Sequence, residues 1–327
     1  MVAPHREHRT NLIGIEDTQQ EDAEGWNEAF ASRSIESLRN WFSNNCRPRV
    51  PPYRRALFGQ HVVQSQEAAD ALIGKVIIGS VRVTGDGIEL RDFWLFSRDT
   101  EWAIDIGAGL HTHLHHVYID GQGQWINSHG FGSSEGSFTR LHAHHVQVQG
   151  MSDGARLCAE SLYEYIYIHN PISFNKSRAG EMWDGRNGVH PHSDGFQMTS
   201  GYNTKLRRSF IEMLPKFGPN IVSCVLLQTP SNPISNITIE ENYCTGGGKT
   251  FHVYDSGHGA PKKIKFRNNL IGTGWSSSGG GIWGLDAPSL TERIGNRYAH
   301  SGMPVPLTVG PLTKPQSRSE LHLGPGQ

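Results

Sequence analysis

The sequence has no long hydrophobic run, and this excludes a membrane-spanning helix. No stretch approaches the roughly 18 apolar residues that such a helix needs. We therefore predict no membrane insertion. Near the N-terminus only the run from Leu12 to Ile15 is apolar, which is too brief for a signal-peptide core of at least ~7 residues. We expect synthesis in the cytoplasm.

An excess of charge of one sign and paired cysteine motifs are lacking as well. The formal net charge is −1, so no global field attracts the protein to nucleic acid. The four cysteines, Cys46, Cys158, Cys224 and Cys244, form no C-x-x-C pair, and neither a zinc site nor a redox motif is indicated. Buried free thiols are expected, although the sequence leaves open whether Cys224 and Cys244 bond.

Short strands separated by turns dominate the sequence. Glycine is abundant, with 38 residues, and apolar–polar–apolar triplets followed by turn residues recur at intervals of 20 to 29 residues, apart from one gap of 71 residues between Ile166 and Ile237. The triplets are Phe93-Trp94-Leu95, Val117-Tyr118-Ile119, Val146-Gln147-Val148, Ile166-Tyr167-Ile168, Ile237-Thr238-Ile239 and Ile264-Lys265-Phe266. A second strand series interleaves with the first, as at Phe196-Gln197-Met198 and Phe251-His252-Val253.

These repeats predict an all-β fold, a right-handed parallel β-helix. Units of this length cannot bury an apolar face alone, and stacking them into a solenoid removes that problem. A jelly roll or β-sandwich is the alternative. Repeated asparagines after the triplets favour the solenoid, because Asn tolerates left-handed turns and can form ladders between coils.

The predicted solenoid spans residues 66–290 and is flanked by two different segments. Residues 1–65 contain a helical pattern between Glu21 and Asn40, ended by prolines from Pro48 onward. This segment is predicted to be a cap over the solenoid or a segment that attaches it to a larger particle. Residues 291–327 are rich in Pro and Gly and are predicted to be an irregular tail.

The densest group of reactive side chains lies between His190 and Asp194, with two histidines and an aspartate. It follows an insertion, residues 173–186, that would form a wall beside the next strand. If the substrate is an acidic polysaccharide, β-elimination needs a cation, a base and an acid. Arg207 or Arg208 is then the cation. The base is His190 or His192, oriented by Asp194, with Lys205 as a rival base.

Hydrolysis would instead need two carboxylates, namely Asp194 with Glu212 or Asp255. We expect β-elimination over hydrolysis if the protein is an enzyme, and the sequence leaves activity itself open. A structural role for the His190–Asp194 segment is the alternative. The predicted substrate contacts are Trp183, Gln197, Glu212, Lys249, His252, Asp255 and Trp275.

Two histidine-rich stretches recur about one coil apart. The first contains His111, His113, His115 and His116, and the second contains His142, His144 and His145. We expect solvated strand surface here, with a histidine ladder as the alternative. No metal site and no cofactor are predicted, and a divalent cation such as Ca²⁺ is left open.

A family resemblance is carried by Val189–Gln197, Asn236–Tyr243 and Lys263–Asn269. These runs resemble pectate-lyase-like right-handed β-helix proteins, especially those of actinobacteria and their phages. The resemblance implies carbohydrate binding, but the calcium-binding aspartates and arginine pattern of pectate lyases are absent from the sequence. It also implies a phage tail protein that binds host cell-surface polysaccharide, with depolymerisation of that glycan, contacts to other tail proteins through residues 1–65 and a homotrimeric state left open. A non-catalytic adhesion module and a secreted bacterial lyase are the alternatives.

Overall fold

The chain folds into a parallel β-helix. The computed structural model describes residues 13–52, 55–97, 100–107, 110–122, 128–133, 140–172, 193–213, 221–247, 249–272, 282–283 and 290–305. Every pairing between the named strands is parallel, and each strand pairs with its equivalent one coil away. The all-β solenoid expected from the repeats is confirmed.

The described residues contain three short helices and 21 strands. The helices are α1 (Ile13–Ser32), α2 (Ile35–Asn45) and α3 (Gln66–Asp70). The strands are β1 (Ala56–Val63), β2 (Val76–Val83), β3 (Ile88–Phe96), β4 (Trp102–Ile106), β5 (His111–Asp120), β6 (His129–Gly132), β7 (Arg140–Gln149), β8 (Asp153–Arg156), β9 (Leu162–His169), β10 (Ser193–Met198), β11 (Gly201–Arg207), β12 (Phe210–Met213), β13 (Ile221–Gln228), β14 (Ile234–Glu240), β15 (Tyr243–Gly246), β16 (Lys249–Tyr254), β17 (Lys262–Arg267), β18 (Leu270–Ile271), β19 (Ile282–Trp283), β20 (Leu290–Ile294) and β21 (Arg297–Tyr298).

Three faces surround the core. Face 1 is built from β4, β6, β8, β10, β13, β16 and β19. Face 2 contains the first halves of β3, β5, β7 and β9 and then β11, β14, β17 and β20. Face 3 contains the second halves of β3, β5, β7 and β9 and then β12, β15, β18 and β21.

A single left-handed residue makes each corner between face 2 and face 3. These residues are Asp92, His116, His145, Tyr165, Arg208, Glu241 and Asn268, each with φ between 50° and 57°. The left-handed conformation costs roughly 1–2 kcal/mol for residues other than Gly, Asn and Asp. The corner recurs from coil to coil, and the strands of neighbouring coils pair both before and after it. The hydrogen bonds of this strand pairing offset the cost of the left-handed residue.

An asparagine ladder follows the corner in the later coils. Asn269 is fully buried, and its Oδ1 accepts hydrogen bonds from the backbone N–H of Asn242 (3.0 Å) and from Asn242 Nδ2 (3.1 Å). Its Nδ2 donates to Ile239 O (2.9 Å) and to Asn296 Oδ1 (2.8 Å). The expected asparagine ladder is therefore present, and it satisfies backbone groups at the corner that would otherwise be buried without partners.

The N-terminal helices pack along face 3. Trp26 and Phe42 are fully buried, and the Phe42 ring lies 5.3 Å from that of Tyr167 and 6.0 Å from that of Phe210. The Cys46 thiol donates to Tyr165 O. These helices therefore cover part of face 3. The first strand, β1, pairs along its whole length with β2, so the coils include residues on both sides of position 65.

The four cysteines are buried with free thiols, as expected from the sequence. Cys46 lies under α2, where burial raises the pKa of its thiol. Cys224 and Cys244 lie inside the solenoid, and burial next to Cys224 raises the pKa of Cys244. The raised pKa values of Cys46 and Cys244 keep these two side chains as neutral, unreactive thiols at pH 7.

Acid should weaken the packing on face 3 through His169. Burial, with Arg39 and Arg47 nearby, lowers the pKa of His169 from 6.5 to about 4. Between these values the unfolded chain binds the proton more tightly than the folded chain. The stability that this group contributes is thus complete above pH 6.5 and is lost as the pH falls toward 4, by up to about 3 kcal/mol.

Urea unfolding at pH 7.5 and at pH 4.5 measures this effect. We expect His169→Gln to lose less stability on acidification than the unmodified chain. Equal pH dependence in His169→Gln and the unmodified chain would contradict the assignment.

Candidate functional site

The residues predicted from sequence to form the site are distributed over all three faces. His190, His192, Trp183 and Trp275 lie outside the described residues. The other predicted site residues lie on strands β10, β11, β12 and β16 or in the turns next to them.

Face 1 carries Asp194 and Gln197 on β10 and Lys249 and His252 on β16. Strand β13 lies between them, so Gln197 and His252 share one column, separated by Leu226. Lys249 Nζ lies 3.2 Å from His252 Nε2, and burial lowers the pKa of Lys249. The strands therefore gather these predicted substrate contacts on two neighbouring columns of face 1.

Asp194 lies inside the structure on this face. Its carboxylate accepts a hydrogen bond from the Ser223 hydroxyl, and its backbone N–H donates to Asp153 Oδ1 (2.9 Å). Asp153 Oδ2 lies 3.2 Å from His129 Nδ1. Asp194 is fully buried, so in the described structure its carboxylate joins neighbouring coils.

Asp255 holds the turn that follows β16. Its Oδ1 accepts hydrogen bonds from the backbone N–H groups of Gly257 (2.8 Å) and Gly259 (3.1 Å) and from the Thr229 hydroxyl (3.3 Å). This set of contacts is typical of an aspartate that stabilises a turn.

Lys205 and Arg207 lie on face 2, and both are ion-paired. Lys205 Nζ is 2.9 Å from Glu240 Oε1, and Arg207 is 2.7 Å from Glu164 Oε2. A corner separates them from β10, because face 2 and face 1 are different sides of the coil. In the described structure these two cations and Asp194 therefore belong to separate surfaces.

Arg208 and Glu212 lie at the corner and on face 3. Arg208 pairs with Glu241 (2.9 Å) and donates to Tyr165 Oη (3.1 Å). The Glu212 carboxylate accepts hydrogen bonds from Arg39 of α2 and from Tyr167 Oη (3.2 Å). Glu212 thus anchors α2 to the solenoid.

Face 2 carries two long columns of mostly polar side chains. Alternation of buried and partly exposed residues along β5, β7, β11 and β14 turns every second side chain outward. One outward column contains Glu89, His113, His142, Leu162, Lys205, Thr238, Lys265 and Glu292. The next contains Arg91, His115, His144, Glu164, Arg207, Glu240 and Arg267.

Histidines of β5 and β7 stack in this surface. The ring centroids of His113 and His142 are 4.7 Å apart, and those of His115 and His144 are 4.8 Å apart, with interplanar angles of 10° in both pairs. Only His111 is exposed as expected for solvated strand surface, and the other six are partly or fully buried. The sequence alternative, a histidine ladder, is the observed arrangement.

Five histidines of this surface, His113, His115, His116, His144 and His145, are neutral at pH 7. Burial is the main cause that lowers the pKa of His113 to about 4 and that of His145 to about 3, and it also lowers the pKa values of His115, His116 and His144. Neutral rings pair with one another through one donor and one acceptor nitrogen. His115 Nδ1 lies 2.8 Å from His116 Nδ1, and His144 Nδ1 lies 2.7 Å from His145 Nδ1.

A groove opens beside these rings. It has a volume of about 650 Å³, and its lining includes Glu89, His111, His113, Arg140, His142 and Glu160. Arg140 pairs with Glu160 (2.5 Å) and lies 2.8 Å from His111 Nε2. Sequence reasoning did not place a site here, although the related runs His111–Val117 and Arg140–Val146 are the signal that could have done so.

None of the described helices combines the length and apolar character needed to span a membrane.

Comparisons with other proteins do not assign the chain to a family. No family model matches the chain, and no curated protein or solved structure is significantly similar to it. The β-helix therefore stands on the strand pairing alone, and the pectate-lyase-like resemblance stays a prediction.

Proposed function

We propose that the protein binds a long glycan of a cell envelope along face 2. The observation that carries this proposal is the pair of mostly polar columns on face 2, which extends about 35 Å from β3 to β20 at the ~4.8 Å spacing of paired strands. A solenoid surface with a regular repeat suits an extended polymer, because each coil offers similar contacts to successive units. Face 3, in contrast, is covered by α1 and α2 where Trp26 and Phe42 pack.

The charges of face 2 favour a hydroxyl-rich glycan over a polyanion. Arg207 pairs with Glu164, Lys205 with Glu240, and Arg267 with Glu292. Paired charges supply hydrogen-bond donors and acceptors to sugar hydroxyls while adding little net field. Binding should therefore depend only weakly on salt between 50 and 500 mM NaCl.

The distribution of the predicted catalytic residues supports binding rather than cleavage. Asp194 is fully buried on face 1, whereas Lys205 and Arg207 lie on face 2 as ion pairs. β-Elimination needs its cation, base and acid around one sugar. We accordingly place the protein in the class of non-catalytic recognition modules, and cleavage is one measurable outcome of the test below.

A phage tail is the setting that we propose for this activity. Residues 1–65 would join other tail proteins, and an exposed apolar strand supports that role. On β1, Phe58 is 73% exposed and Val62 is 46% exposed. Exposed apolar side chains on a strand at the end of the solenoid offer a surface for another protein.

The first test is incubation of the purified protein with a panel of neutral and acidic bacterial envelope polysaccharides. Binding is followed by calorimetry, absorbance near 235 nm reports unsaturated ends, and a reducing-sugar assay reports hydrolysis. We expect binding with neither product signal. Unsaturated ends would replace the proposal with a lyase, reducing ends alone would replace it with a hydrolase, and failure to bind any glycan would refute it.

For a glycan that binds, Arg207→Ala should weaken the affinity by about ten-fold or more, since arginine side chains at the centre of an interface contribute strongly. The matched control is Gln60→Ala, an exposed position on β1 that should leave the affinity unchanged. Equal affinities of Arg207→Ala and the unmodified chain would remove face 2 from the binding surface.

A further inference from the structure

Three histidines of face 2 have the arrangement of a metal site. His142 and His144 are two residues apart on β7, and His113 faces His142 from the neighbouring strand β5. One ligand nitrogen of each lies within 4.8 Å of the other two. Side chains two residues apart on a strand point to the same side, so the backbone places all three rings on the outer side of face 2.

Each of the three rings has a nitrogen left for an ion. His113 Nε2 is buried with no hydrogen-bond partner. His142 uses Nε2 toward Glu164 Oε1 (3.3 Å), and His144 uses Nδ1 toward His145 Nδ1 (2.7 Å). A buried polar nitrogen without a partner is rare in folded proteins and calls for an explanation such as an ion.

The contacts on the opposite nitrogens are those of metal-binding histidines. A histidine ligand usually donates its second ring N–H to a carboxylate or another acceptor, which fixes the tautomer and the ring orientation. Glu164 has this position behind His142 and is itself held by Arg207 at 2.7 Å. His145 is the corresponding partner of His144, and its Nε2 lies 3.3 Å from Asp22 Oδ2.

From this geometry we propose that His113, His142 and His144 bind one transition-metal ion, with Zn²⁺ as the first candidate. Imidazole nitrogens suit Zn²⁺, Cu²⁺ and Ni²⁺, whereas Ca²⁺ and Mg²⁺ require oxygen ligands. Three histidines leave one position of a tetrahedral zinc ion for water or another ligand. Two of the three ligands, His113 and His142, line the groove.

A second group, Glu89 with His113 and His115, also brings ligand atoms within 4.8 Å. It shares His113 with the first group, so among the described residues the two groups are alternative sites for one ion. Both nitrogens of His115 already have partners, Glu89 Oε1 at 2.9 Å and His116 Nδ1 at 2.8 Å. The group on His142 and His144 is therefore the one that we assign.

Metal uptake by the full chain tests the assignment. Untagged protein is stripped with EDTA, dialysed, and titrated with Zn²⁺ by calorimetry and with Co²⁺ by visible absorption. We expect one ion per chain and the intense d–d bands of tetrahedral Co²⁺. His142→Ala and His113→Gln should each weaken Zn²⁺ binding by more than about 100-fold, and Glu164→Gln should weaken it by about 10- to 100-fold.

The matched control is His111→Ala, an exposed histidine of the same strand outside the ligand group, which should bind Zn²⁺ like the unmodified chain. Circular dichroism of each metal-free variant establishes that it is folded. The assignment is wrong if the unmodified chain takes up no Zn²⁺ at 100 µM, or if folded His142→Ala and His113→Gln bind it unchanged. This outcome is independent of glycan binding, because the readout is the ion itself.

Discussion

Replacing Asn269 with alanine is expected to lower the free energy of unfolding by about 3–5 kcal/mol. The side chain is fully buried and makes four hydrogen bonds, to Asn242 N, Asn242 Nδ2, Ile239 O and Asn296 Oδ1. Alanine leaves all four partner groups without this contact, and each buried unsatisfied group costs roughly 1–3 kcal/mol before the neighbours relax. Urea unfolding followed by circular dichroism measures the loss.

The matched control for Asn269→Ala is Asn268→Gly. Asn268 is the adjacent left-handed residue, with φ of 51°, and glycine adopts that conformation without strain. We expect a change within about 0.5 kcal/mol for the control. A loss of less than about 1 kcal/mol for Asn269→Ala would mean that the asparagine ladder does not hold the coils together.

Replacing Phe42 with alanine should cost about 3–5 kcal/mol as well, which is the usual range for a buried phenylalanine. The Phe42 ring is fully buried between the helices and face 3, 4.9 Å from Trp41 and 5.3 Å from Tyr167. Loss of this ring should expose the aromatic side chains of face 3. A rise in the fluorescence of a dye that binds apolar surface should therefore accompany the loss of stability.

The control for Phe42→Ala is Glu36→Ala, which changes an exposed residue of the same helix. It should alter neither stability nor dye fluorescence by much. If Phe42→Ala were as stable as this control, the helices would not depend on face 3, and their packing along the solenoid would be wrong.

The strands of the solenoid could be predicted because their apolar residues alternate. The second strand series falls entirely on face 1, where Phe196, Val225 and Phe251 stack in register. The first series mixes two faces. Val117 and Val146 begin triplets that follow a left-handed corner on face 3, whereas Ile237 and Ile264 begin triplets on face 2 that precede one.

The corners are the reason that the faces could not be told apart. Asp92 and Asn268 are residue types that favour a left-handed turn, but Tyr165, Arg208 and Glu241 are not. Their conformation comes from the coils stacked above and below, which a single sequence does not reveal. A triplet before such a corner and one after it have the same local pattern.

The same corners limited the prediction of the site. Asp194 and Lys205 are close in sequence, yet one is buried on face 1 and the other is ion-paired on face 2. The sequence prediction grouped them because they are close in sequence. It could not show that the turn between β10 and β11 places them on different faces. The histidines carried a clearer signal, since His113 and His115 recur as His142 and His144 one coil later and stack in the structure.

The central claim, that face 2 binds the glycan, is tested most directly by titrating one bound polysaccharide against a variant of each face. Arg207→Ala changes face 2, His252→Ala changes face 1, and Glu36→Ala changes the helix that covers face 3. We expect only Arg207→Ala to lose affinity for the polysaccharide, by about ten-fold or more. Loss in His252→Ala with full affinity in Arg207→Ala would contradict it and assign glycan binding to face 1.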